Sequence, residues 1–122
     1  MRYMMLVYST EGPDGLEPQE TERITNGHRK VIEETTQKGV LVSAAPLAST
    51  STATTVRTQN GKALVTDGPF AETREHLAGY YILDCENLDE AIEWAAKMPT
   101  SCYGGGGCIE IRPLRFQAAA NG

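Results

Sequence analysis

The chain has 122 residues, 40% of them hydrophobic, which suits one domain around a single two-layer core. A formal net charge of −5, with the 11 basic residues scattered rather than clustered, argues against nucleic acid as a partner. No run approaches the ~20 apolar residues of a membrane span, and three cysteines, Cys85, Cys102 and Cys108, make no paired disulfide framework, so a cytoplasmic, non-membrane protein is expected.

Tyr3 to Tyr8 is apolar throughout, the pattern of a strand buried on both faces. The run is short for a secretion signal and no small-residue cleavage site follows it. Ser9 to Pro18 reads as a loop around Gly12-Pro13-Asp14-Gly15, placed to act as a lid. A helix is predicted from Glu17 or Pro18 to Lys38, with proline and acidic residues in its first turn and Gly39 as its C-cap. Its inward stripe is Ile24, His28, Val31 and Thr35, with Ile32 on the flank. Gly27 lies mid-helix at a cost of about 1 kcal/mol relative to alanine, which a close approach by a strand or a ligand would explain.

Val40 to about Pro46 is a second strand, and Ser49 to Ala53 a small polar linker. Thr54–Thr58 and Lys62–Thr66 flank Asn60-Gly61, the strongest hairpin signal in the chain. Asp67-Gly68-Pro69-Phe70 follows as a stiff turn, then the charged residues Glu72, Arg74 and Glu75, with His76 expected to be exposed. Gly79 to Cys85 is a strand with apolar residues on both faces. Asn87 reads as an N-cap with Glu90 as its capping-box partner. Leu88, Ala91, Ile92, Ala95 and Met98 form the helical stripe that Pro99 ends. Tyr103 to Gly107 is a glycine-rich loop, and Cys108 to Arg112 a half-buried strand. The domain spans residues 1–115, and 116–122 reads as a C-terminal tail.

With the hairpin set aside, the order is βαββαβ, an α+β ferredoxin-like fold carrying an extra β-hairpin. In that fold the helices cover one sheet face. The first strand and the Gly79–Cys85 strand carry apolar side chains on both faces, so a homodimer joined through the uncovered sheet faces is expected.

Met1 to Tyr8, the motif from Val65 to Glu75 containing Asp67-Gly68-Pro69-Phe70, and Leu77-Ala78-Gly79-Tyr80-Tyr81 together resemble the DGPF-domain proteins of the YCII-related family. The resemblance reaches to about Arg115. It implies a ferredoxin-like fold of the dimeric α/β-barrel type with a pocket between sheet and helices. Biochemical function is unestablished for most members. Some relatives are tied to dehydrochlorination or similar lyase steps in aromatic degradation. Others are fused to, or sit beside, extracytoplasmic-function sigma factors. The family carries a histidine eleven residues before the glycine that ends its first helix, and His28 and Gly39 match that spacing. It pairs this histidine with an aspartate, for which Asp67 is the candidate by location. The run from Ser101 to Gly107 departs from the family pattern.

His28 and Asp67 thus form a candidate acid–base pair for a lyase or isomerase, against the plainer readings of a satisfied core histidine and a turn carboxylate. Candidate ligand-binding residues are Arg57, Phe70, Glu72, Arg74 and Tyr80. The plain alternatives are a solvated charged surface for the ionic ones and a core or interface role for the tyrosines Tyr8, Tyr80 and Tyr81. Cys102 and Cys108 lack the second pair a metal site needs, and the glycine run lacks the Lys-Ser/Thr ending of a phosphate loop, so no cofactor is expected. The leading expectation is a small-molecule-binding protein with lyase or isomerase chemistry. The alternative is a non-catalytic regulatory or interaction module whose partner is a sigma factor.

Overall fold

Among the described residues, six strands and two α-helices follow one another as β1 (Arg2–Thr10), α1 (Pro18–Gln37), β2 (Leu41–Pro46), β3 (Thr54–Gln59), β4 (Lys62–Asp67), β5 (Glu75–Asp84), α2 (Leu88–Ala95) and β6 (Cys108–Pro113). They belong to a computed structural model that describes residues 1–10, 18–70, 75–100 and 107–118. The lid expected after Ser9, the charged residues Glu72 and Arg74, and most of the glycine run lie outside the described residues.

The architecture is mixed α+β. β2, β5, β1 and β6 form one antiparallel sheet in that order, and β3 pairs with β4 in a separate two-stranded ribbon. The two strands with apolar residues on both faces, β1 and β5, are the two central ones, where burial is greatest. Tyr3, Met5 and Val7 of β1 and Tyr81 and Leu83 of β5 point to one side. There they form the core with Val31 of α1 and Ala91 and Trp94 of α2. Both described helices therefore pack on the same face, and Met4, Leu6, Tyr80 and Ile82 belong to the opposite one.

Local signals explain the element ends. Gly39 adopts φ 72° beyond α1, and Val40 N–H donates to the Thr35 carbonyl at 3.0 Å, closing the helix C-terminus. Asn60 (φ 52°) and Gly61 (φ 75°) turn the hairpin with the two positive φ angles a type I′ turn requires. Asn87 Oδ1 accepts from Glu90 N–H at 2.9 Å as the N-cap of α2. The reciprocal half of the expected capping box is shifted by one residue, because Glu90 Oε2 accepts from Glu86 N–H, at 2.8 Å, and not from Asn87.

The predicted stripe of α2 is corrected. Leu88 and Ile92 are 50% and 49% exposed, whereas Trp94 is only 6% exposed. The helix rolls toward its largest side chain, seating Ala91, Trp94 and, beyond its end, Met98 in the core.

Between Val7 and Tyr8 the β1–β5 register shifts: Val7 pairs with Gly79 but Tyr8 with Leu77, leaving Ala78 as the extra residue of a β-bulge. The bulge reverses the alternation of β5 on its N-terminal side. His76, now opposite Ser9, turns to the helix-covered face, and Leu77 turns outward, 38% exposed.

Candidate functional site

α1 lies over the β2–β5–β1 part of the sheet with its inward stripe as expected, and Val31 and Thr35 are buried beneath it. Thr35 Oγ1 donates back to the Val31 carbonyl at 2.7 Å, which satisfies a hydroxyl that has no water to bond. Toward its N-terminal half the helix stands off the sheet. The gap is a cavity of about 560 Å³, within the size range of small-molecule sites. Ile24 and Ile32 form part of its helix wall, and small residues such as Ala44 and Gly79 leave its floor open. This gap is why Ile24, His28 and Ile32, although inward-facing, are not fully buried.

Two glycines allow the walls to come together. A side chain at Gly79 would put its Cβ 2.9 Å from the Ala45 carbonyl oxygen, so only glycine lets β5 pass β2 at this point. A Cβ at Gly27 would stand 2.7 Å from Pro99 Cγ. The mid-helix glycine expected to answer a strand or ligand is thus explained by a proline ring, at the end of the α2 connection, seated on the helix backbone.

His28 lines the cavity beside Tyr81, and its Nδ1 is 2.6 Å from the tyrosine hydroxyl. The rings are tilted by 33° with centroids 5.7 Å apart. Burial holds the His28 pKa below its usual value, only partly offset by a hydrogen bond to the main chain of Pro99. Burial likewise pushes the Tyr81 hydroxyl up to about 12. At neutral pH both groups are therefore uncharged, and which of the two donates in their contact follows the tautomer of His28. The remaining polar groups of the lining include Ser9, Thr25, Arg29, Glu33 and His76.

The structure does not bring Asp67 to His28. Asp67 ends β4, exposed, in the ribbon that is separate from the main sheet, and is not part of the cavity lining. The partner of His28 is Tyr81, 53 residues away in sequence, and it is a different side chain from the one expected. Tyr80 borders the cavity at the sheet, but its side chain belongs to the face without helices. Arg57 and Phe70 lie outside the lining but meet each other, with the guanidinium carbon 4.7 Å from the ring centroid. His76, expected to be exposed, reaches the lining through the Ala78 bulge. The apolar character of Tyr81 and its place in a central strand mark it as core, and only its hydroxyl hints at a partner. Among the described residues no three His, Cys, Asp or Glu side chains gather in a way that could hold a metal ion. Among the described residues no helix is long and apolar enough to cross a membrane.

A scan of the chain against family models matches the YCII-related domain over residues 1–115. An uncharacterized protein of Rhizobium meliloti (strain 1021) is 36% identical over 115 residues, which cover 93% of this chain and 92% of the relative.

Proposed function

The chain belongs to the YCII-related family, and from that premise we propose that it binds a small, largely apolar molecule and moves a proton on it, as a lyase or isomerase does. The observation that carries this reading is the His28 Nδ1···Tyr81 hydroxyl contact of 2.6 Å inside a largely apolar cavity. A proton acceptor and a proton donor in direct contact are the minimum equipment for general acid–base chemistry. The neutral state of His28 at neutral pH favours its action as a base.

The wider organisation belongs to the same proposal. The strand order β2-β5-β1-β6, with both described helices on one face, supports a ferredoxin-like fold with an inserted hairpin. The partly exposed apolar residues Met4, Leu6 and Tyr80 on the face without helices support a homodimer built sheet to sheet, as in the dimeric α/β-barrel arrangement. A cytoplasmic location goes with this reading. The test is a thermal-shift screen of small cyclic carbonyl and hydroxyl compounds. A saturating ligand at a hundredfold excess over its Kd stabilises by about 2.7 kcal/mol. Turnover of a hit that is lost in His28→Ala and Tyr81→Phe, with the oligomer intact, supports the reading. Turnover that survives both changes refutes it.

A second reading, an interaction module with a sigma factor as partner, is favoured by the β3–β4 ribbon. It exposes Val56, Leu64 and Val65, with Phe70 just beyond it, and among the described residues its strands pair only with each other. In that case changes at Val65 and Phe70 abolish partner capture while His28→Ala is silent.

A further inference from the structure

We infer that the cavity is a slot with a hydrogen-bonding group at each end, His28 with Tyr81 at one and His76 at the other, and that it takes an elongated, mostly apolar molecule bearing a polar group at either end. This rests on the reading of the cavity as a ligand site and names the shape and polarity of its ligand.

The strand register sets the spacing. Tyr81 lies opposite Met5 of β1, and His76 lies opposite Ser9. The run from Met5 to Ser9 puts about 13 Å of strand between the two positions. Midway along it Val7 faces Gly79. Val7 is apolar and Gly79 has no side chain, so the floor between the two ends is low and offers no polar side chain. Ile24 and Ile32 of α1 continue the apolar lining on the helix side. A molecule the size of one small ring meets only one end of such a slot, and a longer one meets both.

One extra residue brings His76 to the second end. With unbroken alternation His76 would share the outward face with Tyr80 and Ile82, and the bulge at Ala78 turns it inward instead. Re-aiming a side chain beside a site is a recurrent use of such bulges. The chain has two histidines, and both line this one cavity, His28 from α1 and His76 from β5. They differ in what they already hold. His28 Nδ1 is in contact with the Tyr81 hydroxyl at 2.6 Å. Among the described residues no group hydrogen-bonds the His76 imidazole. Its donor and acceptor capacity therefore faces the cavity. A hydroxyl suits either end whichever nitrogen carries the hydrogen, because it both donates and accepts.

Calorimetric titration of the whole protein compares two pairs of probes that differ by one hydroxyl. Para-phenylphenol and para,para′-biphenol are rods that reach along the slot, whereas phenol and hydroquinone are too short. Biphenol is expected to bind about tenfold tighter than phenylphenol, the worth of one added hydrogen bond in a largely apolar site, and hydroquinone to gain little over phenol. His76→Leu is expected to remove the biphenol advantage and His76→Gln, which keeps a hydrogen-bonding side chain, to retain part of it, with urea midpoints showing that both variants fold. In protein with ¹⁵N-labelled histidine, the two imidazoles are identified by the loss of their signals in His28→Gln and His76→Gln. Biphenol is expected to move both sets of signals with a single Kd. Equal affinity of biphenol and phenylphenol, a biphenol advantage that survives His76→Leu, or movement of one imidazole only overturns this inference and leaves the cavity reading standing. Absence of saturable binding by all four probes overturns both.

Discussion

Replacing Gly27 with alanine sets two effects of opposite sign against each other. In an ordinary helix interior the change is stabilising by about 1 kcal/mol, because glycine loses more backbone freedom on folding. Here the new Cβ would stand 2.7 Å from Pro99 Cγ and 3.4 Å from its Cβ and Cδ. Carbon atoms rest at about 3.5–4.0 Å, so the proline ring must retreat by nearly 1 Å. Overpacking of this kind costs about 1–3 kcal/mol, so Gly27→Ala is expected to range from neutral to about 2 kcal/mol destabilising. The assay is a double-mutant cycle by urea denaturation with Gly27→Ala, Pro99→Ala and the double variant. Without the proline ring, alanine at position 27 should recover its full helix preference of about 1 kcal/mol, which gives a coupling of about 1–3 kcal/mol between the two sites. In Gly27→Ala alone the His28 imidazole signals should also move, since the displaced proline ring rests on the residue before His28. Additive effects, or a Gly27→Ala variant stabilised in full with Pro99 in place, would refute the close contact.

Gly79→Ala meets backbone on both near contacts, 2.9 Å to the Ala45 oxygen and 3.2 Å to Pro46 Cα. It should lower stability by at least the ~1–3 kcal/mol of overpacking in urea melts, and an unchanged midpoint would contradict the β2–β5 approach. Asn87→Ala should cost about 1 kcal/mol by loss of the bond from Glu90 N–H, read in the same melts. The acid response follows from His28. Its folded pKa lies below the unfolded value of about 6.5, so the unfolded chain takes up the proton first as pH falls. Stability from this group is full above pH 6.5 and declines as pH drops from there to the folded pKa. Accordingly, the difference in urea midpoint between pH 7 and pH 5.5 should shrink in His28→Gln, and an equal difference would exclude a buried neutral imidazole. At the alkaline end Tyr81, raised to about 12, contributes in full below pH 10 and loses its contribution as pH climbs from 10 to 12. Spectrophotometric titration should therefore show one tyrosinate that appears only with unfolding, and that step should vanish in Tyr81→Phe.

Signals carried within a few residues are legible in the amino-acid sequence alone. The fully apolar run of β1, the stripe of α1 with Gly39 at its end, the Asn60-Gly61 turn and the Asn87 cap each depend on backbone geometry and side chains within about one turn. They put His28 on the inner face of its helix, which is where it stands, over the cavity.

Its partner is another matter. Asp67 stands out in the sequence for its place in a charged turn, yet that turn follows a ribbon whose two strands, among the described residues, pair only with each other. Tyr81 is carried to His28 by the register of β5 against β1, His76 is turned to the same side by a single bulged residue, and Pro99 is held where it is because position 27 has no side chain. Periodicity states which residues share a face of an element. Which elements face each other, in what register and at what distance, is settled by packing between residues far apart in the chain, and the candidate site of this protein is made of such contacts.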